Sequence, residues 1–153
     1  MYQHLYSITL KKTLSTSPLP SPVDTEEQLA LCCVDAALDK KAEDPVILDL
    51  RGISSFTDFF VVLTGTSEPQ IKAIAGSIRD RMRKEHGLHP LSDDAYPGSQ
   101  WIVVDYGSVV VHVFHNTLRG VYDLESLWGD ARRIPMIEEK IATKNTEKME
   151  SLN

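Results

Sequence analysis

The sequence predicts an α/β domain of the α+β kind, in which a small mixed sheet is packed with helices. Three observations predict it. The run from Gln100 to Phe114 is dense in β-branched and aromatic residues, and Tyr106-Gly107 punctuates it, which reads as two strands joined by a tight turn. Ile71, Ile74, Ala75, Ile78 and Met82 recur at helical spacing and form one apolar stripe. The segments succeed one another as α-β-β-α-β-β-α, the order expected of a sheet of mixed strand direction with helices packed on it.

The first 23 residues are expected to be a disordered tail. Ser, Thr and Pro dominate them, repeated Pro forbids a helix, and no acidic residue occurs before Asp24. Such leaders can also be organelle transit peptides, although this one has two lysines and no arginine. A helix is expected from Asp24 or Thr25, with Thr25-x-x-Gln28 as a capping box and Ala30, Leu31, Val34, Ala37 and Leu38 on one stripe. Its Cys32 and Cys33 are the only cysteines. Neighbours on a helix point about 100° apart, so a disulfide between them is not expected. Two buried, reduced thiols fit a reducing compartment, with the cytoplasm as the default location.

Pro45 to Leu50 reads as a short strand. Asp58 to Thr64 reads as a second, so continuously apolar that both its faces should be covered. In the second helix Ser67 is the expected N-cap, Pro69 sits in the first turn, Gln70 completes a capping box, and Gly87 is the C-terminal cap. His89 to Ser99 reads as a loop. In the strand after it, Trp101, Val103 and Asp105 share one face. Asp123 is a candidate cap for a short helix whose Leu124, Leu127 and Trp128 pack inward. Beyond Gly129 the pattern fades. One domain over residues 24–134 is expected, with a flexible or frayed helical tail over 135–153.

The length of 153 residues suits one domain with a sizeable core. A formal charge of -6 argues against non-specific nucleic-acid binding, which needs a basic face. It is compatible with docking on a basic protein at a ribonucleoprotein surface. No apolar run is long enough to span a membrane.

Three segments resemble the ribosomal silencing factor family, also called Iojap-like. They are Leu48 to Gly52 with Ser55 to Val61; Thr64 to Ser67 with Gln70 to Ala75; and Trp101-x-x-x-Asp105-Tyr106-Gly107-x-Val109 to Phe114, followed by Tyr122 to Trp128. The resemblance implies a fold related to nucleotidyltransferases but without catalysis. It also implies a partner, the fourteenth protein of the large ribosomal subunit. Covering that protein would block joining of the small subunit and repress translation when nutrients are short. Organellar members are tied to assembly of the large subunit, and free members often form a homodimer. Two departures stand out: the acidic residue common after the Asp-Tyr-Gly turn is Ser108 here, and a common Glu-Gly pair ahead of the Trp is Asp94-Ala95.

Candidate partner-binding residues are therefore Trp101, Asp105 and Tyr106, with Asp93 and Asp94 adding an acidic field. Trp101 and Tyr106 are large rings of the kind that anchor interfaces. Trp101 has a competing reading as a core ring, and Asp105 as a turn residue bonding its own backbone. His112 and His115, three apart on a strand, face opposite ways and make a poor metal pair. Gly65-Thr66-Ser67 at a helix start is a candidate phosphate cradle. The carboxylates an active transferase would need are reduced to Asp58, Asp105 and the Asp93-Asp94 pair. No cofactor and no metal are expected.

Overall fold

A computed structural model describes residues 22–95, 98, 100–136 and 150–151. The expected tails lie outside the described residues, apart from residues 22, 23, 135, 136, 150 and 151. The elements are α1 (Pro22–Leu38), β1 (Glu43–Asp49), β2 (Phe59–Gly65), α2 (Glu68–His86), β3 (Ser92–Ala95), β4 (Trp101–Asp105), β5 (Val109–His115), α3 (Asn116–Tyr122), α4 (Leu124–Leu127) and β6 (Arg132–Arg133). The sheet order is β3-β4-β5-β2-β1-β6. β2 and β5 run parallel, and every other neighbouring pair is antiparallel.

This is the predicted mixed α+β architecture with additions. β3 lies where a loop was expected, β6 lies beyond the fading of the pattern, and a short helix, α3, runs through Gly120. α1 begins at Pro22, so Thr25 is inside the helix and is not its cap. Proline suits a first helical position because the N–H it lacks would have no intrahelical partner there.

β2 is buried along its whole length, as its unbroken apolar run requires. Alternate residues feed two cores. On one face Ile47, Phe59, Val61, Leu63, Val104 and Val111 pack against α1 and α2. The α2 stripe from Ile71 to Met82 is entirely buried there, each large side chain stabilising the fold by about 1.5–3 kcal/mol. On the other face Leu48, Phe60, Val62, Val110 and Phe114 meet Leu118, Leu124 and Trp128. The short α3 and α4 contribute to that side, so it is the more open one.

The start of α2 follows its sequence signals. Ser67 is extended and its hydroxyl accepts from the Gln70 N–H. Gln70 returns its side-chain oxygen to the Thr66 N–H at 2.7 Å. The helix ends in a left-handed Gly87 whose N–H returns to Arg83. Gly65 is required by a close approach: a Cβ there would stand 2.9 Å from Ile71. Gly65→Ala is expected to destabilise the protein by about 1–3 kcal/mol, read as a lower Tm in a thermal melt. An unchanged Tm would mean that the helix start shifts freely.

Asp123 does not cap as expected. Its backbone is left-handed (φ 40°), it ends α3, and its side chain makes no cap bond to α4. Leu127 is 71% exposed and so does not pack inward, whereas Leu124 and Trp128 do. Cys33 is buried and Cys32 only half-buried; both are free thiols.

Candidate functional site: the open face of the sheet

Strand register assigns the faces. Trp101 pairs with Phe114, Val103 with His112 and Asp105 with Val110. Asp94 of β3 lies opposite Val103. All of these sit on the face away from α1 and α2, because opposed residues share a face.

Seven rings form a continuous chain across that face. Phe56 lies 6.4 Å from Trp128, which lies 6.0 Å from Phe60. Phe60 meets His112 edge-on at 4.5 Å, and His112 lies 5.9 Å from Trp101. Trp101 stacks on Phe114 at 4.9 Å, and Tyr122 lies 4.6 Å from Trp101. Two members present large apolar area to solvent: Phe56 is 62% and Tyr122 49% exposed. Trp101 and Trp128 are half-buried. Contacts of this kind contribute beyond the area that they bury.

His112 lies at the centre and is buried. The Trp101 Nε1–H donates to its Nδ1 at 3.2 Å. That bond places the proton of the neutral ring on Nε2, which has no partner among the described residues. Burial pushes the His112 pKa down to about 4. His115 serves another purpose: its Nδ1 accepts from the Thr117 N–H at the start of α3.

The five residues expected to bind a partner are not one patch. Trp101 is stacked on Phe114, as a core ring would be, and is yet partly open to solvent. Asp105 accepts from the Gly107 N–H at 2.7 Å, so it braces the turn. Tyr106 turns to the opposite face, where it packs against the helix-side core. Its hydroxyl is buried without a partner among the described residues, and burial pushes its pKa well above the usual phenol value. Asp93 also faces the helices and pairs with Arg79 at 2.9 Å. Asp94 alone is exposed on the ring-bearing side. Strand alternation separates Asp93 from Asp94, and the same alternation carried one residue past Asp105 puts Tyr106 with Ile102 and Val104 on the helix side, away from Trp101.

The sequence reading missed Phe56 and Tyr122. The available signal was a lone Phe in the polar run Ser54-Ser55-Phe56-Thr57-Asp58, where no core demands a ring.

Three further motifs have structural duties. Asp49 holds Arg51 through two side-chain bonds of 2.9 and 2.7 Å and lies 3.5 Å from Arg132 of β6. The Arg51 bond holds the Asp49 carboxyl below its usual range. Arg119 of α3 donates to Thr64 Oγ1 at 2.7 Å and to Glu125 at 3.2 Å, fastening α3 to β2 and to α4. Ser108 donates to Glu26 of α1. An acid at position 108 would repel Glu26, so the departure at Ser108 suits this chain.

The candidate phosphate cradle is largely occupied from within. The Thr66 N–H is taken by Gln70, the Gln70 N–H by Ser67, and Pro69 has none. The carboxylates do not assemble either. Among the described residues, the only group of three or more Cys, His, Asp or Glu ligand atoms within 4.8 Å of one another is Cys32, Glu85 and His86.

Fold and face together define an α+β domain with one helix-covered side and one half-open, ring-lined side. The family model described as "Ribosomal silencing factor during starvation" matches residues 23–152. The chain belongs to the ribosomal silencing factor family. It is 40% identical over 112 residues to the ribosomal silencing factor of Halalkalibacterium halodurans, covering 73% of this chain and 95% of that protein. It is 34% identical over 131 residues to the chloroplastic protein Iojap of Arabidopsis thaliana, covering 84% of this chain and 54% of that protein. A crystal structure of a protein from Chromobacterium violaceum superposes with a TM-score of 0.64 at 34% identity, covering 67% of this chain and 85% of that one.

Proposed function

We propose that this protein binds the large ribosomal subunit through its fourteenth protein and sterically blocks joining of the small subunit, repressing translation when nutrients are short. The observation that carries the reading is the open face, where exposed Phe56 and Tyr122 flank half-buried Trp101 and Trp128, with Asp94 on the neighbouring edge. Rings supply contact area at little entropic cost, and the net charge of -6 favours a basic ribosomal protein. A standard interface buries roughly 1,600 Å² in total, an area that one face of a domain this size can supply. The role is binding and not catalysis. The free protein is a homodimer, and the compartment is the cytoplasm, or an organelle if the leader is a transit peptide.

The likeness to chloroplastic Iojap favours a second reading, assembly of the large subunit through the same face. Growth phase separates them: silencing acts in starved cells, and an assembly defect appears in growing ones.

The test is sedimentation of purified small and large subunits at associating magnesium, with and without the protein. It is expected to travel with the large subunit and to diminish the joined peak. Sedimentation with neither subunit would overturn the reading. Binding without loss of the joined peak would favour assembly.

A further inference from the structure

We propose that Cys32, Glu85 and His86 form a binding site for a soft divalent cation, zinc by preference, where the last turn of α2 packs against the middle of α1. The three come from different places: Cys32 from the middle of α1, Glu85 and His86 from the last turn of α2. Their ligand atoms already lie within 4.8 Å of one another. Metal bonds of about 2.0–2.3 Å at tetrahedral angles require separations of roughly 3.3–3.7 Å. Side-chain rotations of about 1 Å close that difference, and water completes the coordination. The Cys32 thiol already points at Glu85, its Sγ 3.6 Å from Oε2.

The surroundings suit a cation. A cleft lined by Gln28, Leu31, Cys32, Asp35, Arg81 and Glu85 opens there. Arg81, which lines the cleft, is a positive group that argues against it. It is engaged by Asp35 at 2.5 Å, by Asp39 and, at 3.7 Å, by Glu85. Three carboxylates against one guanidinium leave the site negative, so a divalent ion is attracted. One thiolate, one imidazole and one carboxylate are a donor set that favours zinc over magnesium or calcium.

Binding replaces the thiol proton. The S–H bond breaks, the sulfur pair forms the metal bond, and the proton leaves to solvent. Because the thiol must lose its proton to ligate, the metal binds more tightly as pH rises.

The test titrates zinc into the full chain at neutral and mildly alkaline pH against a chromophoric chelator. Cobalt(II) serves as the spectroscopic substitute. The expected result is one zinc per chain, about one proton released from the thiol, and a thiolate-to-cobalt charge-transfer band. Cys32→Ser removes the band and weakens zinc binding by roughly a hundredfold or more, since losing even an outer-shell partner costs about 10- to 100-fold. His86→Gln weakens it similarly, and the exposed His89→Gln leaves it unchanged. No stoichiometric binding, or binding that survives Cys32→Ser in full, overturns the proposal.

Discussion

A chain carrying both Asp94→Lys and Tyr122→Ser is expected to bind the large ribosomal subunit roughly a hundredfold more weakly than the parent, with its fold intact. These two positions are chosen because they are exposed on the ring-bearing side and carry less of the fold's support than Trp101 or Asp105. Trp101 stacks on Phe114 and donates to His112, so its removal would injure the sheet itself. Asp105 holds the Gly107 N–H, so its replacement would loosen the turn. Asp94 is exposed with no such duty in the sheet, and Tyr122 presents half its surface to water. Truncating an interface aromatic typically costs about 2 kcal/mol or more, and a reversed charge facing a basic protein adds repulsion. Co-sedimentation with the large subunit measures the loss, and circular dichroism with a thermal melt verifies the fold. Full binding by the folded double variant would place the contact elsewhere on the molecule.

Acid is expected to weaken this protein between about pH 6.5 and pH 4, and His112 is the reason. In the unfolded chain its ring takes a proton near 6.5; in the folded chain burial holds that off until about 4. Through this window the unfolded state binds the extra proton, so folding stability is full above 6.5, declines as pH falls and levels off below 4. The difference corresponds to an upper limit of roughly 3 kcal/mol. Asp49 acts in a lower window, since its carboxyl is held below 3.8. Urea unfolding at pH values from 7.5 to 4.5 measures the slope. His112→Phe keeps a ring beside Phe60 and removes the titrating group; it is expected to be less stable at pH 7.5, because Trp101 loses its acceptor, but flatter against pH. An equal slope in both proteins would show that other groups carry the acid response.

Much of the framework was legible because local chemistry and the tertiary fold agree. At α2 the cap, the proline, the apolar stripe and the terminal glycine each describe a single helix, and each is found there. The uniform apolar run of β2 likewise meets cover on both faces. What escaped was held by partners and not by propensity. Ser92 to Ala95 has no strand-forming residue worth the name, and it is a strand because β4 offers it a ladder. Arg132 and Arg133 pair with the end of β1 for the same reason. On the candidate face, period-two alternation placed Trp101 with Asp105. It had no power to bring Phe56, Tyr122 and Trp128 there, since they arrive from a loop, a helix end and a short helix by packing alone.

The parallel joint between β2 and β5 divides the molecule by time as well as by space. β4 and β5 pair across a three-residue turn, and β1 and β2 across a modest loop, so both can form as soon as they exist. Phe59 waits for Val109, fifty positions later in the chain. At about 5–20 residues per second of synthesis, that wait lasts roughly 3–10 seconds. Through it, the edge of the most apolar strand in the protein has no permanent neighbour. The seam that makes the finished sheet continuous is therefore the nascent chain's period of greatest exposure to aggregation, and this protein's dependence on chaperones should be concentrated there.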